Sequence, residues 1–139
     1  MIVTKFGGTS VEDAAAIRRV VSIVRSRLPL QPLVVVSALA GTTNALLELA
    51  ELAGAGNLVG AIRGVEALRQ RHLAVAAELL EGRPSAGEVS SELGATFDEL
   101  ANLAEAFSIL GHVTPRSLDA VAAKGEFLST VLLVAALRE

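Results

Sequence analysis

The strongest constraint on the fold of this chain is the segment Lys5-Phe6-Gly7-Gly8-Thr9-Ser10-Val11, which joins a short apolar run to a helix start. The run from Ile2 to Phe6 predicts a strand that ends at the glycine pair. Glycines let the backbone approach a ligand closely, and the start of a helix presents unpaired N–H groups with a partial positive charge. With a lysine beside them, these groups could bind a phosphoryl group while it is transferred. The alternative is an ordinary strand–glycine–helix turn with a solvated lysine.

The segment differs from a Walker A loop, because its lysine precedes the glycines and only two glycines are present.

The composition of the chain indicates a globular protein and disfavours a nucleic-acid partner. With 139 residues, 52% hydrophobic and 19% charged, the chain is long enough for a core and is globular rather than disordered. Tyr and Trp are absent and the net charge is −3, which argues against a nucleic-acid partner.

Several other classes of site are disfavoured by what the sequence lacks. There is no cysteine, which excludes disulfides and thiol catalysis, and His72 and His112 have no metal-ligand spacing. The start of the chain does not resemble a signal peptide, and the longest apolar run, Val131 to Leu137, is too short to span a bilayer. We therefore expect a cytoplasmic protein with no metal site among these residues and no membrane partner.

The apolar pattern predicts an α/β fold in the first third of the chain. A helix that opens with Ser10, Glu12 and Asp13 is followed by a strand from Leu33 to Ser37, which we expect to be buried on both faces, and by a helix at about Ala45 to Ala53. The first of these helices carries its apolar residues at helical spacing: Ile17, Val20, Val21, Val24 and Leu28. A strand–helix–strand–helix order implies parallel strands with right-handed crossovers.

The rest of the chain is predicted to be helical. Two long helices, at about Leu58 to Leu80 and Val89 to Leu110, should form a hairpin, with His72 packed in the core or at an interface. Thr114-Pro115 marks a further helix start. Gly125 then precedes Glu126 to Val134, which is apolar apart from three residues and is expected to be a buried helix.

A second motif, Val34-Val35-Val36-Ser37-Ala38-Leu39-Ala40-Gly41-Thr42-Thr43-Asn44, is a strand followed by a loop of small residues. Small residues let a substrate come close to the backbone, and the hydroxyl and amide groups supply hydrogen bonds. The alternative is N-cap chemistry, in which Thr43 or Asn44 merely starts the next helix.

A third motif is Gly125-Glu126-Phe127-Leu128-Ser129. A carboxylate at the mouth of a buried helix needs a partner, and the ammonium group of a substrate would serve. The alternative is a first-turn glutamate that interacts with the helix dipole, an effect of under about 1 kcal/mol.

Together, in this order, the three motifs resemble the amino-terminal part of the catalytic domain of aspartate kinases in the amino-acid kinase family. The resemblance covers nearly the whole chain and is weakest at about residues 57–94. It implies a three-layer α/β/α sandwich with a mainly parallel sheet, and transfer of the ATP γ-phosphoryl group to the side-chain carboxylate of L-aspartate, with Mg²⁺. This reaction begins the synthesis of lysine, threonine and methionine.

The resemblance also implies roles for individual residues. Lys5 would neutralise the phosphoryl group, the N–H groups of Gly7 and Gly8 would cradle it, and Ser10 would add a hydroxyl. On the substrate side, the roles fall to Ser37 and Thr43, and to Glu126 for the ammonium group of aspartate. One departure is Ala123-Lys124, where the family often has an aromatic residue and a serine or histidine; we expect Lys124 to pair with Glu126 or to weaken its hold on the ammonium.

The chain is about half as long as the kinase domain that the resemblance implies, and only two strands are recognisable. Residues 1–139 would thus be the incomplete amino-terminal portion, as a fragment, an isolated subdomain or one part of a split protein, and would be inactive alone. The resemblance implies that a carboxy-terminal half and regulatory domains lie outside these residues, and that this half binds most of the ATP and Mg²⁺. We expect a homo-oligomer or a complementing half as partner. Two alternatives stay open: a non-catalytic α/β module that binds anions or a partner, and a family member that acts on glutamate, N-acetylglutamate or carbamate.

Overall fold

A two-stranded sheet and five helices make up the computed structural model, which describes all residues from 1 to 139. The strands are β1 (Ile2–Phe6) and β2 (Pro32–Val36). The helices are α1 (Ala14–Ser26), α2 (Thr42–Gly54), α3 (Leu58–Leu79), α4 (Ala86–Leu110) and α5 (Pro115–Arg138). The predicted helix-rich α/β character is confirmed.

The sheet is parallel, as predicted, and α1 forms the crossover between its strands. The register runs from Ile2 opposite Pro32 to Phe6 opposite Val36. The expectation that β2 is buried on both faces is wrong: Leu33 is 56% exposed, and so is much of Val3 at 66%. The cause is that the helices pack on one face only, the face that carries Phe6 and the alternate valines of β2.

The segment that follows β1 is not the start of an α-helix. Residues Gly8–Val11 form a single 3-10 turn, and α1 begins only at Ala14. The side chain of Asp13 accepts a hydrogen bond of 2.7 Å from the backbone N–H of Ala16, and this N-cap fixes the start of the helix. At the other end, α1 stops at Ser26, so Leu28 lies outside it and is exposed.

The predicted helical hairpin is confirmed. Helices α3 and α4 pack along their length and both contact α2. The buried residues of the pair are Ala61, Val65, Leu68, His72, Val75 and Ala76 from α3, and Val89, Leu93, Thr96, Phe97, Leu100, Ala104 and Phe107 from α4. The apolar side chains of Ile62 on α3 and Leu110 at the end of α4 are exposed.

Helix α5 runs without a break through the third motif, which corrects the prediction of a helix start at Gly125. Its N-cap is Thr114, whose hydroxyl accepts a hydrogen bond of 3.2 Å from the N–H of Ser117. Glu126 therefore lies in the middle of a helix, away from the dipole charge at its start, so the first-turn alternative for this residue is wrong. The helix is also not buried all round, because Phe127 is 44% exposed.

By length and composition alone, α5 is also the one helix that could cross a membrane. Core helices of water-soluble proteins pass the same test. In this fold α5 packs against α1, α2, α4 and β2, and it buries Leu128 and Leu132 completely. Packing within the domain thus buries one face of this apolar helix.

The packed histidine predicted from the apolar stripe is His72, which is fully buried. Its Nδ1 lies 2.8 Å from the carbonyl oxygen of Leu68, and its ring meets the ring of Phe97 edge-on. Because a carbonyl only accepts, Nδ1 carries the proton and Nε2 is left as a buried acceptor without a partner. Burial lowers the pKa of His72, the bond to Leu68 raises it, and the charge of Arg71 lowers it, with a net decrease.

This burial predicts an acid-sensitive fold. An unfolded histidine titrates near pH 6.5 and the folded one at lower pH, so the unfolded state binds more protons as the pH falls below about 6.5. The free energy of unfolding should be at its full value above about pH 6.5. Below that pH, this group should lower it by up to about 1.4 kcal/mol for each pH unit. Urea unfolding at pH 7.5 and 5.5 measures the loss, which His72→Leu should reduce and the exposed control His112→Leu should not. An equal pH dependence in both variants would assign the effect to other groups.

Candidate functional site

The three sequence motifs meet at a cleft beside the carboxyl ends of the two strands. The cleft has a volume of about 250 Å³. It is lined by Gly8 from the first motif, by residues 37–41 with Thr43 and Asn44 from the second, and by Glu126 from the third. Residues distant in sequence thus converge on one cavity, at the edge of a parallel sheet where ligand sites are common.

Two glycines are required by the shape of this cleft. A Cβ atom on Gly8 would lie 3.2 Å from the carbonyl oxygen of Ala38 and 3.4 Å from the Cα of Ala40, so only glycine lets the two segments come this close. Gly41 has a φ of +80°, a left-handed conformation that other residues rarely adopt. It turns the chain into α2.

The side chains of Thr43 and Asn44 in the second motif do not cap helix α2. Helix α2 begins at Thr42, and its N-cap is Gly41, with no side-chain capping bond. The N-cap alternative for Thr43 and Asn44 is therefore wrong. Both residues instead lie in the first turn of α2, at the wall of the cleft.

The third motif is held against the second by two contacts that sequence reasoning missed. Gly125 lies so close to the loop that an added Cβ would be 2.8 Å from the Cβ of Ala38. One turn later, the buried hydroxyl of Ser129 donates a hydrogen bond of 2.7 Å to the carbonyl oxygen of Ser37, the residue directly after β2. These contacts fix the part of α5 that carries Glu126. A glycine inside a helical pattern was the available signal for close packing.

Glu126 itself is exposed at the cleft and belongs to none of the four ion pairs of the structure. The predicted interaction with Lys124 is not observed, because Lys124 pairs with Glu99 on α4. Residues two apart on a helix do not face each other, which explains the difference. The carboxylate of Glu126 is therefore available to a ligand.

The residues predicted to bind phosphate lie apart from this cleft, except for Gly8. Lys5 is exposed on the open face of the sheet, opposite Val35 in the register. Gly7 precedes the 3-10 turn, and its carbonyl oxygen accepts a hydrogen bond of 3.0 Å from the N–H of Ser10. Ser10 lines a different cavity of about 230 Å³, with Arg19 among its walls.

A family model decides the relationship of this chain to known proteins. The model described as "Amino acid kinase family" matches residues 1–139. The chain belongs to the amino acid kinase family. Among curated members, it is 35% identical to lysine-sensitive aspartokinase 3 of Escherichia coli over its whole length, and 32% identical to the chloroplastic aspartokinase 2 of Arabidopsis thaliana over 99% of its length. The resemblance to aspartate kinases is thereby confirmed.

Solved structures of this family share the fold. The chain superposes on E. coli aspartokinase III in complex with aspartate and ADP with a TM-score of 0.84 at 35% identity, over 99% of its residues. The TM-score against the same enzyme in complex with lysine and aspartate is 0.83 at 33% identity. The chain covers 29% and 24% of the two curated relatives above, and 29% of each structure.

Kinases of this family are expected to use a divalent metal ion with ATP, and such an ion is usually held by one or two carboxylates together with the phosphates. Among residues 1–139, no group of three His, Cys, Asp or Glu side chains is arranged to hold a metal. Glu126 is the only acid that lines the cleft. We therefore assign Mg²⁺ to no residue of this chain.

Proposed function

We propose that this chain is the amino-terminal part of an aspartate kinase, which transfers the γ-phosphoryl group of ATP to the side-chain carboxylate of L-aspartate. The relatives reported above are aspartokinases, which favours aspartate as acceptor over glutamate, N-acetylglutamate or carbamate. The solved relative is a complex with aspartate and ADP, the acceptor and the spent nucleotide of this reaction.

The observation that carries the proposal is the convergence of the three motifs on one cleft. Gly8, Ser37, Thr43 and Glu126 come from segments far apart in the sequence, yet all line the same cavity. The cleft combines a free carboxylate, two hydroxyls and a glycine-lined wall, and the carboxylate would repel the anion that an anion-binding module needs. An amino-acid substrate has use for each of them.

On the substrate side, Glu126 would hold the ammonium group of aspartate. Its carboxylate is exposed and has no ion-pair partner within the chain. Ser37 and Thr43 would orient the rest of the molecule by hydrogen bonds. The backbone of Ser37 is held in place, because its carbonyl oxygen accepts a hydrogen bond from the hydroxyl of Ser129.

On the phosphate side, the chemistry calls for positive charge rather than for a general base. The acceptor is already a carboxylate, so the barrier comes from bringing two anions together, and catalysis is positioning plus charge neutralisation. Lys5 would neutralise the transferred group, the N–H groups of Gly7 and Gly8 would cradle it, and Ser10 would add a hydroxyl. The position of Gly8 in the cleft wall supports its part of this assignment. Lys5 lies on the open face of the sheet and Ser10 lines another cavity, so both side chains would have to turn toward the cleft.

Residues outside this segment would complete the enzyme. We propose a three-layer α/β/α sandwich, in which they cover the open face of the sheet around Val3 and Leu33 and bind Mg²⁺ with most of the ATP. The exposure of these apolar side chains supports this arrangement. Location in the cytoplasm and a homo-oligomeric or complementing partner remain predictions.

Replacing the carboxylate of Glu126 tests the proposal. In the full-length protein, Glu126→Gln should raise KM for aspartate at least about tenfold, since a charge-assisted bond to an ammonium group contributes roughly 1.5–3 kcal/mol. The KM for ATP should change little. Steady-state kinetics with each substrate varied in turn measure both constants. Glu105→Gln, at an exposed position on α4, is the matched control, and equal increases in the two KM values would argue for a structural role of Glu126.

A further inference from the structure

Arg71 of α3 connects the first two motifs, although it belongs to neither. Its Nη1 donates a hydrogen bond of 2.7 Å to the carbonyl oxygen of Ala40, and its Nη2 donates one of 3.2 Å to the carbonyl oxygen of Glu12. Ala40 is part of the cleft wall. Glu12 lies between the 3-10 turn that begins at Gly8 and helix α1. One guanidinium group therefore ties the loop after β2 to the segment after β1.

The guanidinium of Arg71 has no competing partner. None of the four ion pairs includes it, whereas Arg18 and Arg69 both pair with carboxylates. A planar guanidinium presents several N–H donors in fixed directions, so it can bind two carbonyl oxygens at once, which a lysine ammonium does less well. Each bond is charge-assisted and stronger than a neutral one.

The two segments also depend on each other through Gly8, which lies against the backbone of Ala38 and Ala40. This contact is one of close approach and provides no hydrogen bond of its own. Loops of this kind move readily unless they are tied to a rigid element. Helix α3 is such an element, because it packs against α2 and α4.

We propose that Arg71 is a positioning residue that holds the glycine turn and the 38–44 loop at the separation that the cleft requires. The inference rests on the proposed function, because it assigns these segments to the two reacting groups of a phosphoryl transfer. Misplacement of reacting groups by a small distance strongly reduces such a reaction. Arg71 does not line the cleft and acts through the two loops.

The test compares three variants of the full-length protein. Arg71→Met keeps the apolar stem and removes both hydrogen bonds, and Arg71→Lys keeps the charge without the planar fork. Arg69→Met is the matched control, two residues earlier on the same helix. Arg69 binds Asp98 at 2.7 Å and the carbonyl oxygen of Gly94 at 3.3 Å, both on α4 and away from the cleft.

Two readouts separate positioning from general stability. Hydrogen exchange in the ligand-free protein should become at least about tenfold faster at the amides of residues 8–13 and 38–44 in Arg71→Met, with α4 unchanged. In the same variant, kcat/KM for aspartate should fall by at least about tenfold, with Arg71→Lys intermediate. Arg69→Met should show neither effect. Faster exchange spread over the whole domain, or an equal loss of activity in Arg69→Met, would overturn the proposal.

The exchange measurement also keeps the two hypotheses apart. If the wild-type protein does not phosphorylate aspartate, the proposed function fails, and exchange alone then decides whether Arg71 holds the two segments. If the wild-type protein is active and exchange in the two segments does not respond to Arg71→Met, the positioning role fails while the proposed function stands.

Discussion

Lys5→Ala in the full-length protein should remove nearly all of kcat. A cation that acts on charge developing in the transition state contributes several kcal/mol, and each 1.36 kcal/mol corresponds to about a tenfold change in rate. Lys5 is exposed, so its removal should leave the free energy of unfolding within about 0.5 kcal/mol of the wild type. A hydroxamate assay of the acyl phosphate product, together with urea unfolding, measures both quantities.

The sequence offers a natural control for this experiment, because the chain has only one other lysine. Lys124 pairs with Glu99 on the surface and does not line the cleft. Lys124→Ala should therefore retain activity within about twofold, since a surface ion pair contributes at most about 1 kcal/mol, and that to stability rather than to catalysis. More than about a tenth of the wild-type kcat in Lys5→Ala would contradict the role assigned to Lys5.

Much of the fold was predictable because its elements have strong local signals. The apolar run of β1, the periodicity of α1 and the long stripes of α3 and α4 each specify one type of structure. The predictions failed where tertiary packing decides. Nothing in the run Leu33 to Val36 shows that its alternate residues face away from the helices, and a run of this kind is also typical of a strand covered on both sides.

The candidate site was predictable as three motifs, but the contacts that assemble it were not. Gly125 resembled a helix start, because glycine often marks the end of an element. In the structure it is the point of closest approach between α5 and the 38–44 loop. Ser129 and Arg71 hydrogen-bond to backbone carbonyl oxygens, and such acceptors leave no trace in a pattern of side chains.

Residues that line the cleft and residues that pack behind it should respond differently to mutation. Residues at the cleft, such as Glu126 and Thr43, are exposed or half-buried and can change without loss of the fold. Residues behind the cleft are placed by packing, and their substitution should move the cleft walls. Gly125 is the clearest case, because it has no side chain to contribute and yet determines how near α5 comes to the loop.

Gly125→Ala should destabilise the protein, although alanine is normally the better residue in the middle of a helix. The new Cβ would lie 2.8 Å from the Cβ of Ala38 and 3.3 Å from Leu46 Cδ1, and Ala38 Cβ is fixed to the backbone and cannot rotate away. Overpacking of this kind costs about 1–3 kcal/mol, against a gain of about 1 kcal/mol in helix propensity. We expect a net loss for alanine and a larger one for valine, with reduced kcat/KM for aspartate as α5 shifts.

Gly94→Ala is the matched control, since Gly94 lies in the middle of α4 and an added Cβ would meet only Arg69 Nη1, at 3.9 Å. There the propensity gain is unopposed, so stability should rise by up to about 1 kcal/mol. Adding Ala38→Gly to Gly125→Ala removes the atom with which the new methyl group collides, and the double variant should be more stable than the sum of the single effects indicates. Urea unfolding of the wild type, Gly94→Ala, Gly125→Ala, Ala38→Gly and the double variant measures these differences. If Gly125→Ala were stabilising like Gly94→Ala, the close approach of α5 to the 38–44 loop would not be what makes glycine necessary at this position.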